Sequence, residues 1–282
     1  MSNDQVDEVW IPPTPRHAST VCLVRDGATG VEVFVMRRKS SMKFAPRMYV
    51  FPGGAVESAD NDVPLTGSVD LVHASQQLFS ESPAAVIAAG ARETFEECGV
   101  LIATSANGSP PVFDESLMRD RAALVAHEMS FTDLLSQRHL LVDDSALVPL
   151  AHWVTPENEP RRFDVRFFVA ALPEGQHTYE VDEEADRTQW IRPTDALDAW
   201  HDGTLEMWIP TASTMRLLMN GDTAADVVNN SRGRHIVPLR PHEVINADGE
   251  LAWHLVHDRT MEVLEAMDPK DMESETAVVR RT

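Results

Sequence analysis

The segment that most constrains this chain is an alanine-rich stretch that ends in three closely spaced glutamates. The stretch favours a helix, which Pro83 can begin and Gly99 can end, because a left-handed terminal position favours glycine. Glu93, Glu96 and Glu97 stand at i, i+3 and i+4, so their carboxylates share one face of that helix. The sequence therefore predicts a helix with an acidic face near its end.

Three carboxylates on one face repel one another and cost stability unless a positive group lies among them. Mg²⁺ and Mn²⁺ take carboxylate oxygens as ligands and are natural partners for such a face. Arg92 lies four residues before Glu96 and can bind one carboxylate while leaving others for metal. A solvated acidic face is the alternative interpretation, but the rest of the helix is apolar, which indicates burial.

A glycine turn upstream strengthens the metal interpretation. Phe51-Pro52-Gly53-Gly54 follows a strand-like run, and its two glycines let the backbone bend sharply and approach a ligand closely. Together, F-P-G-G and R-E-x-x-E-E-x-G-V resemble the two ends of the signature of the Nudix hydrolase superfamily, G-x5-E-x7-R-E-U-x-E-E-x-G-U, where U is aliphatic. Gly54 matches its first glycine, and residues 92–100 match its second half except at Thr94, which replaces an aliphatic residue.

The middle of the signature differs from the family pattern. Asp60 stands where the family has glutamate, and 31 residues, 61–91, separate it from Arg92, where the family has seven. A loop inserted between the turn and the helix can bulge into solvent, and added loop length costs little entropy. We therefore expect a loop insertion at 61–82 that leaves the two ends of the signature together.

The resemblance extends over roughly residues 15–220 to the acyl-coenzyme A diphosphatase branch, whose Nudix box is interrupted. It is carried by Trp153-Val154-Thr155-Pro156 and by Pro160-Arg161-Arg162-Phe163-Asp164, besides the segments above. It implies an α/β fold, a Nudix-type α/β/α sandwich around a mixed sheet. One feature differs: Arg47 stands where the coenzyme A signature of related enzymes has a glycine.

The resemblance implies divalent-metal-dependent hydrolysis of a diphosphate bridge in a nucleoside diphosphate linked to another moiety. Coenzyme A or an acyl-coenzyme A is the first expected substrate. An ADP-ribose or nucleotide-sugar diphosphatase is an alternative within the class. A catalytically inactive Nudix module that senses a nucleotide or binds a partner is the alternative outside it.

The expected metal ligands for Mg²⁺ or Mn²⁺ are Glu93, Glu96 and Glu97, with a backbone carbonyl from Gly53. Arg92 is expected to orient the cluster rather than to touch substrate. The general base is either Glu93 or an acid of the run 180–184, and the choice stays open. Within that run Glu184 is our candidate, although a solvated acidic loop explains the run equally well. Weaker candidates for supporting roles are Glu57, Asp60, Asp182 and Glu183.

Phosphate recognition is the least constrained part of the site. A guanidinium binds phosphate through two parallel hydrogen bonds, which makes arginines near the signature candidates, although each is also a typical surface residue. The four candidates are Arg38, Arg47, Arg161 and Arg162.

Net charge limits the partners. The formal charge of −21 argues against nonspecific binding to nucleic acid or to an anionic membrane, which both need a positive surface. Two cysteines make no disulfide framework, and neither a signal peptide nor a bilayer-length apolar run is evident. We expect a cytoplasmic protein whose partner is a small nucleotide-diphosphate substrate, with no nucleic-acid or membrane partner.

The chain is expected to comprise an N-terminal arm (1–15), a Nudix domain (16–221), a C-terminal extension (222–267) and a disordered tail (268–282). The insertion and the extension could serve in a homodimer or as a lid, and both stay open. Alternation of apolar and polar residues over 162–172 is the strongest strand pattern. Other strands are expected at 18–24, 31–36, 48–51, 100–103, 147–155, 187–191, 236–239 and 250–257, and helices at 69–79, 83–98, 115–128, 131–139, 194–201, 211–219 and 224–228.

Overall fold

The computed structural model describes residues 10–41, 46–70, 80, 82–179, 185–245, 249 and 251–266. Its strands are β1 (Arg16–Gly27), β2 (Gly30–Arg38), β3 (Tyr49–Val50), β4 (Gly53–Ala55), β5 (Ala103–Ser105), β6 (Leu140–Val142), β7 (Val148–Val154), β8 (Phe163–Ala171), β9 (Ala185–Ile191), β10 (Pro238–Ile245), β11 (Leu251–His257) and β12 (Val263–Ala266). Its α-helices are α1 (Pro83–Cys98), α2 (Glu115–Val125), α3 (Phe131–Gln137), α4 (Pro193–His201), α5 (Ile209–Leu217) and α6 (Ala224–Ser231). Short 3-10 turns occupy Ser58–Asp62 and Asp144–Ala146.

A large mixed sheet forms the centre of the fold. Its strand order is β12-β11-β10-β7-β8-β1-β2-β3, with β4 paired to β1 and β9 paired to β2. The pairs β1–β8 and β7–β10 are parallel, whereas the other pairs of this sheet are antiparallel. β5 and β6 form a separate two-stranded sheet.

Alternating side chains of β1 divide the core into two layers. Val21 and Leu23 join the cluster that contains residues of α1, α2 and α3. Cys22 and Val24 point to the other face and join residues of α4, α5 and α6. Because successive strand residues face opposite sides, the sheet is covered by helices on both faces. The predicted α/β/α sandwich is confirmed.

Most predicted elements agree with the structure to within a few residues, including the helix at 83–98 and the strand at 162–172. The strand expected at 100–103 is wrong, because the regular strand begins only at Ala103. The side-chain amide of Gln176 bonds to both the N–H and the C=O of Leu101, at 2.8 and 2.9 Å, in place of a neighbouring strand. The helix expected at 69–79 lies mainly outside the described residues, and Val69 and Asp70 are not helical.

Residues after 221 add to the same sheet and core. β10 pairs in parallel with β7 through Pro238 and His152, and through Leu239 and Trp153. Val227 of α6 is fully buried in the second core layer. The boundary at 221 stays a prediction. In the part of the chain that the structure describes, every helix is too short or too polar to cross a lipid bilayer.

Candidate active site

The glycine turn and the acidic helix meet despite the inserted residues. The backbone N–H of Gly53 donates to Oε2 of Glu97 at 2.7 Å. β4 is held against β1 by the pairs Gly53–Thr20 and Gly54–Ser19, and α1 packs on β1. The insertion therefore leaves both ends of the signature in contact. The structure shows the amide of Gly53 in this contact, and metal binding by its carbonyl stays a prediction.

Gly54 makes room for the first of the three glutamates. A Cβ atom at this position would lie 2.3 Å from Oε1 of Glu93 and 2.4 Å from its carboxyl carbon. Real Cβ atoms do not approach so closely, so the carboxylate and a side chain at position 54 exclude each other. The glycine here serves a close approach between backbone and carboxylate.

Asp60 binds Arg92 through both carboxylate oxygens. Nε of Arg92 donates to Oδ1 at 2.8 Å and Nη2 donates to Oδ2 at 3.1 Å. Nη2 also donates to the carbonyl of Ala55 at 3.0 Å, which ties the helix to β4. Asp60 is 1% exposed, and its carboxylate also accepts the N–H of Glu57 within the 3-10 turn. The aspartate that departs from the family pattern thus anchors the arginine of the signature.

The same guanidinium faces two further acids. Nη1 of Arg92 donates to Oε1 of Glu93 at 2.8 Å, and it contacts Oε2 of Glu96 at 3.5 Å. One cation therefore faces three carboxylates, counting Asp60. Burial raises the pKa of Glu93 to about 7, against the opposing effect of Arg92, and the charge of Glu96 adds to the rise. Burial also raises the pKa of Glu96. The cluster holds more negative charge than its arginine balances.

The donor set has the chemistry of a hard-cation site. Its side chains supply carboxylate oxygens, which are the ligand type that Mg²⁺ and Mn²⁺ prefer. These carboxylates are partly buried. Among the residues that the structure describes, no group of three or more acidic, histidine or cysteine side chains is arranged to hold a metal ion. Oxygens of Glu93 and Glu96 are turned to Arg92, and one oxygen of Glu97 is turned to Gly53. The residues fit a divalent cation in charge and donor type, and the metal site stays a prediction.

Arg121 of α2 secures the last turn of α1. Its Nε donates to the carbonyl of Phe95 at 2.8 Å, and its Nη2 donates to the carbonyl of Glu96 at 2.7 Å. Gly99 ends the helix in the left-handed conformation, with φ of 73°. A cation at a helix C-terminus satisfies free carbonyls and complements the helix dipole. This role of Arg121 was not predictable from the sequence, because its two contacts join residues 25 and 26 positions apart and have no local signature.

The predicted phosphate-binding arginines lie in different environments. Arg162 is 8% exposed and donates to the backbone carbonyls of Thr155 and Pro13, and its role in substrate binding stays a prediction. The N–H of Arg47 donates to the carbonyl of Arg38 at 3.0 Å, so these two residues stand together beside β3. Arg161 is exposed. Roles in substrate binding for these last three residues stay predictions.

The acidic run at 180–184 lies outside the described residues, and with it Glu184, Asp182 and Glu183. The choice of general base between Glu93 and Glu184 therefore stays open. Glu57 is described and lies at the start of the 3-10 turn that carries Asp60.

Comparison with known proteins decides the family. The model of the NUDT19 Nudix domain matches residues 70–217, which is more than half of the chain. This chain belongs to the Nudix hydrolases, in the NUDT19 branch. The match begins after the glycine turn, so it rests on the acidic helix and the strands that follow. The contacts of Gly53 and Gly54 with that helix are a structural observation that does not depend on this match.

Individual Nudix relatives are similar at modest identity. The acyl-coenzyme A diphosphatase NUDT19 of Xenopus laevis is 25% identical over 228 residues, covering 66% of this chain and 58% of that protein. The putative nudix hydrolase 7 of Caenorhabditis elegans is 27% identical over 176 residues, covering 61% and 50%. The chain thus spans between half and three fifths of these relatives. A crystal structure of a NUDIX hydrolase from Alicyclobacillus acidocaldarius is 27% identical, with a TM-score of 0.66 and coverage of 77% of this chain and 96% of that one.

Replacing each glycine of the turn by alanine is expected to have a different effect: Gly54→Ala should lower turnover, and Gly53→Ala should lower stability. In Gly54→Ala the three atoms nearest to the new methyl group all belong to the flexible end of Glu93, so we expect a folded protein with a displaced carboxylate and at least about tenfold lower turnover. In Gly53→Ala the methyl group meets backbone atoms of Ser19 and Thr20, at 2.4 and 2.7 Å, so we expect lost stability. Urea unfolding and steady-state kinetics of both variants test this, and equal losses of stability would contradict it.

Proposed function

We propose that this protein hydrolyses the diphosphate bridge of coenzyme A or an acyl-coenzyme A, with Mg²⁺ or Mn²⁺ as cofactor. The observation that carries the proposal is the contact of the glycine turn with an acidic helix whose carboxylates outnumber their one arginine. The substrate class is supported by the name of the Xenopus laevis relative and by the match to the NUDT19 domain.

Glu93, Glu96 and Glu97 would hold the metal, with the carbonyl of Gly53 as a further ligand. The chemistry that a bound divalent cation supplies is neutralisation of phosphate oxygens and acidification of water. Arg92 holds the carboxylate of Glu93 in place and is itself fixed by Asp60, so it acts by positioning and not on the substrate.

In the reaction, a base takes a proton from water while the water oxygen bonds to one phosphorus of the bridge. The bond from that phosphorus to the bridging oxygen breaks, and the products are two phosphate monoesters. With coenzyme A these are a phosphoadenosine monophosphate and a phosphopantetheine. Glu93 and Glu184 are the two candidates for the base. Arg38, Arg47 and Arg161 are proposed to bind phosphate groups through paired hydrogen bonds.

The rest of the molecule would support this site in a cytoplasmic enzyme. We place the Nudix domain at 16–221, with residues 222–267 as an extension that adds strands to its sheet. A homodimer built through the extension or the insertion is part of the proposal. Nucleic acid and membranes are not proposed as partners, since the formal charge of −21 disfavours both.

A substrate panel tests the proposed activity. Coenzyme A, acyl-coenzyme A, ADP-ribose, nucleotide sugars and free nucleotides are incubated with Mg²⁺ or Mn²⁺, and products are identified by mass. We expect coenzyme A or acyl-coenzyme A to be cleaved fastest, at the diphosphate and only with metal. Much faster cleavage of ADP-ribose or nucleotide sugars would show that coenzyme A is not the preferred substrate. No cleavage of any diphosphate would favour an inactive module that senses a nucleotide or binds a partner.

A further inference from the structure

A groove lined by aromatic rings lies outside the acidic cluster and has no part in the chemistry above. Its volume is about 660 Å³, and its lining residues are Phe113, Asp114, Glu115, Met118, Arg119, Ala122, His177 and Tyr179. The ring centroids of His177 and Tyr179 are 4.6 Å apart, and those of Phe113 and His177 are 5.2 Å apart. Three aromatic side chains thus stand together in a groove of the size that small ligands occupy in proteins.

The groove adjoins the end of the acidic helix. The N–H of Tyr179 donates to the carbonyl of Cys98 at 2.9 Å, and a Cβ atom on Gly99 would lie 2.9 Å from the Tyr179 ring. On the other side, α2 supplies both Ala122 to the groove and Arg121 to the carbonyl of Glu96. The walls of the groove therefore contact the same helical turn that carries the candidate metal ligands.

The lining favours a flat heteroaromatic ring over an alkyl chain. A planar base stacks on aromatic side chains whatever its identity, because every base has a π-face. Glu115, which is exposed and lines the groove, can accept a hydrogen bond from an exocyclic amine. An alkyl chain has neither a π-face for the three rings nor a hydrogen-bond donor for Glu115.

We propose that this groove binds the nucleobase of the diphosphate substrate, while the diphosphate lies at the acidic face of α1. This inference rests on the proposed function, since it assigns one end of the substrate of that reaction. One sugar separates base and diphosphate in a nucleotide, which fits a base site that contacts the end of the same helix. The groove then contributes to substrate affinity and not to bond cleavage.

Replacing Phe113 or His177 by alanine tests the proposal. AMP is titrated into the full chain by calorimetry, and kcat and KM are measured with coenzyme A and with acyl-coenzyme A esters of different chain length, in the presence of Mg²⁺. Loss of one stacking partner is expected to weaken AMP binding and to raise KM by roughly ten- to a hundredfold, with kcat unchanged. Val112→Ala is the matched control, because Val112 is 72% exposed, adjoins Phe113 and does not line the groove.

Direct AMP binding separates this proposal from the proposed activity. If the wild type binds AMP and Phe113→Ala does not, the base site stands even where no diphosphate is hydrolysed. If the wild type cleaves coenzyme A but fails to bind AMP, or if both variants bind AMP as well as Val112→Ala does, the base site is wrong. A change only in the dependence of KM on acyl-chain length would assign the groove to the acyl chain and also overturn the proposal.

Discussion

Simultaneous replacement of Glu96 and Glu97 by glutamine is expected to lower kcat/KM by about 10³-fold, because metal ions contribute several kcal/mol to such reactions. The chain should remain folded. Glutamine at position 97 keeps an oxygen that can accept the N–H of Gly53, and the contact of Glu96 with Arg92 is long, at 3.5 Å. Steady-state kinetics with the best substrate of the panel, together with thermal melting of each variant, provides the measurement.

Glu128→Gln is the matched control for this double variant. Glu128 is exposed and lies just beyond α2, so the same type of substitution there should leave turnover within a few-fold of the wild type. Unchanged turnover in the double variant would end the assignment of Glu96 and Glu97 as metal ligands. Loss of turnover with loss of folding would show that their role is structural.

Asp60→Ala is expected to produce the largest loss of stability, about 3 kcal/mol of unfolding free energy. Removing one partner of a buried ion pair leaves an uncompensated charge and costs about 3–5 kcal/mol. The lower end applies here, because Glu93 and Glu96 still face the guanidinium of Arg92. The variant also loses the acceptor for the N–H of Glu57. Urea unfolding followed by circular dichroism measures the change.

Asp62→Ala serves as the comparison, since Asp62 is exposed and belongs to the same 3-10 turn. Its unfolding free energy should lie within about 0.5 kcal/mol of the wild type. A similar stability for Asp60→Ala and Asp62→Ala would contradict the anchoring role of Asp60. A second consequence is kinetic: a looser Arg92 should release Glu93, so turnover of the folded fraction of Asp60→Ala should also fall.

The acidic helix and the glycine turn were predictable because each is determined by residues that are close together in the sequence. Glycine spacing and the i, i+3, i+4 pattern act over a few residues, and the structure has the helix at the predicted bounds. That the two segments meet was predictable only through the family resemblance, since residues 61–91 separate Asp60 from Arg92. Their contact shows that a long insertion can leave a short-range geometry intact.

Tertiary contacts explain what the sequence did not predict. Gln176 replaces a strand partner at Leu101, and Arg121 binds the carbonyls at the end of α1, each across a long stretch of chain. The burial of Arg162 against two backbone carbonyls is also a tertiary contact. The local sequence around an arginine does not show whether its side chain will be exposed or buried. Side-chain amide and guanidinium groups satisfy backbone groups wherever the fold brings them, and no periodic pattern marks such pairs.

The central claim is that the acidic face of α1 binds a divalent cation, and Mn²⁺ titration followed by electron paramagnetic resonance tests it most directly. The wild type and Glu128→Gln are expected to remove free Mn²⁺ from solution in a saturable manner, whereas the Glu96→Gln, Glu97→Gln double variant is not. Equal Mn²⁺ binding by the double variant and the wild type would contradict it.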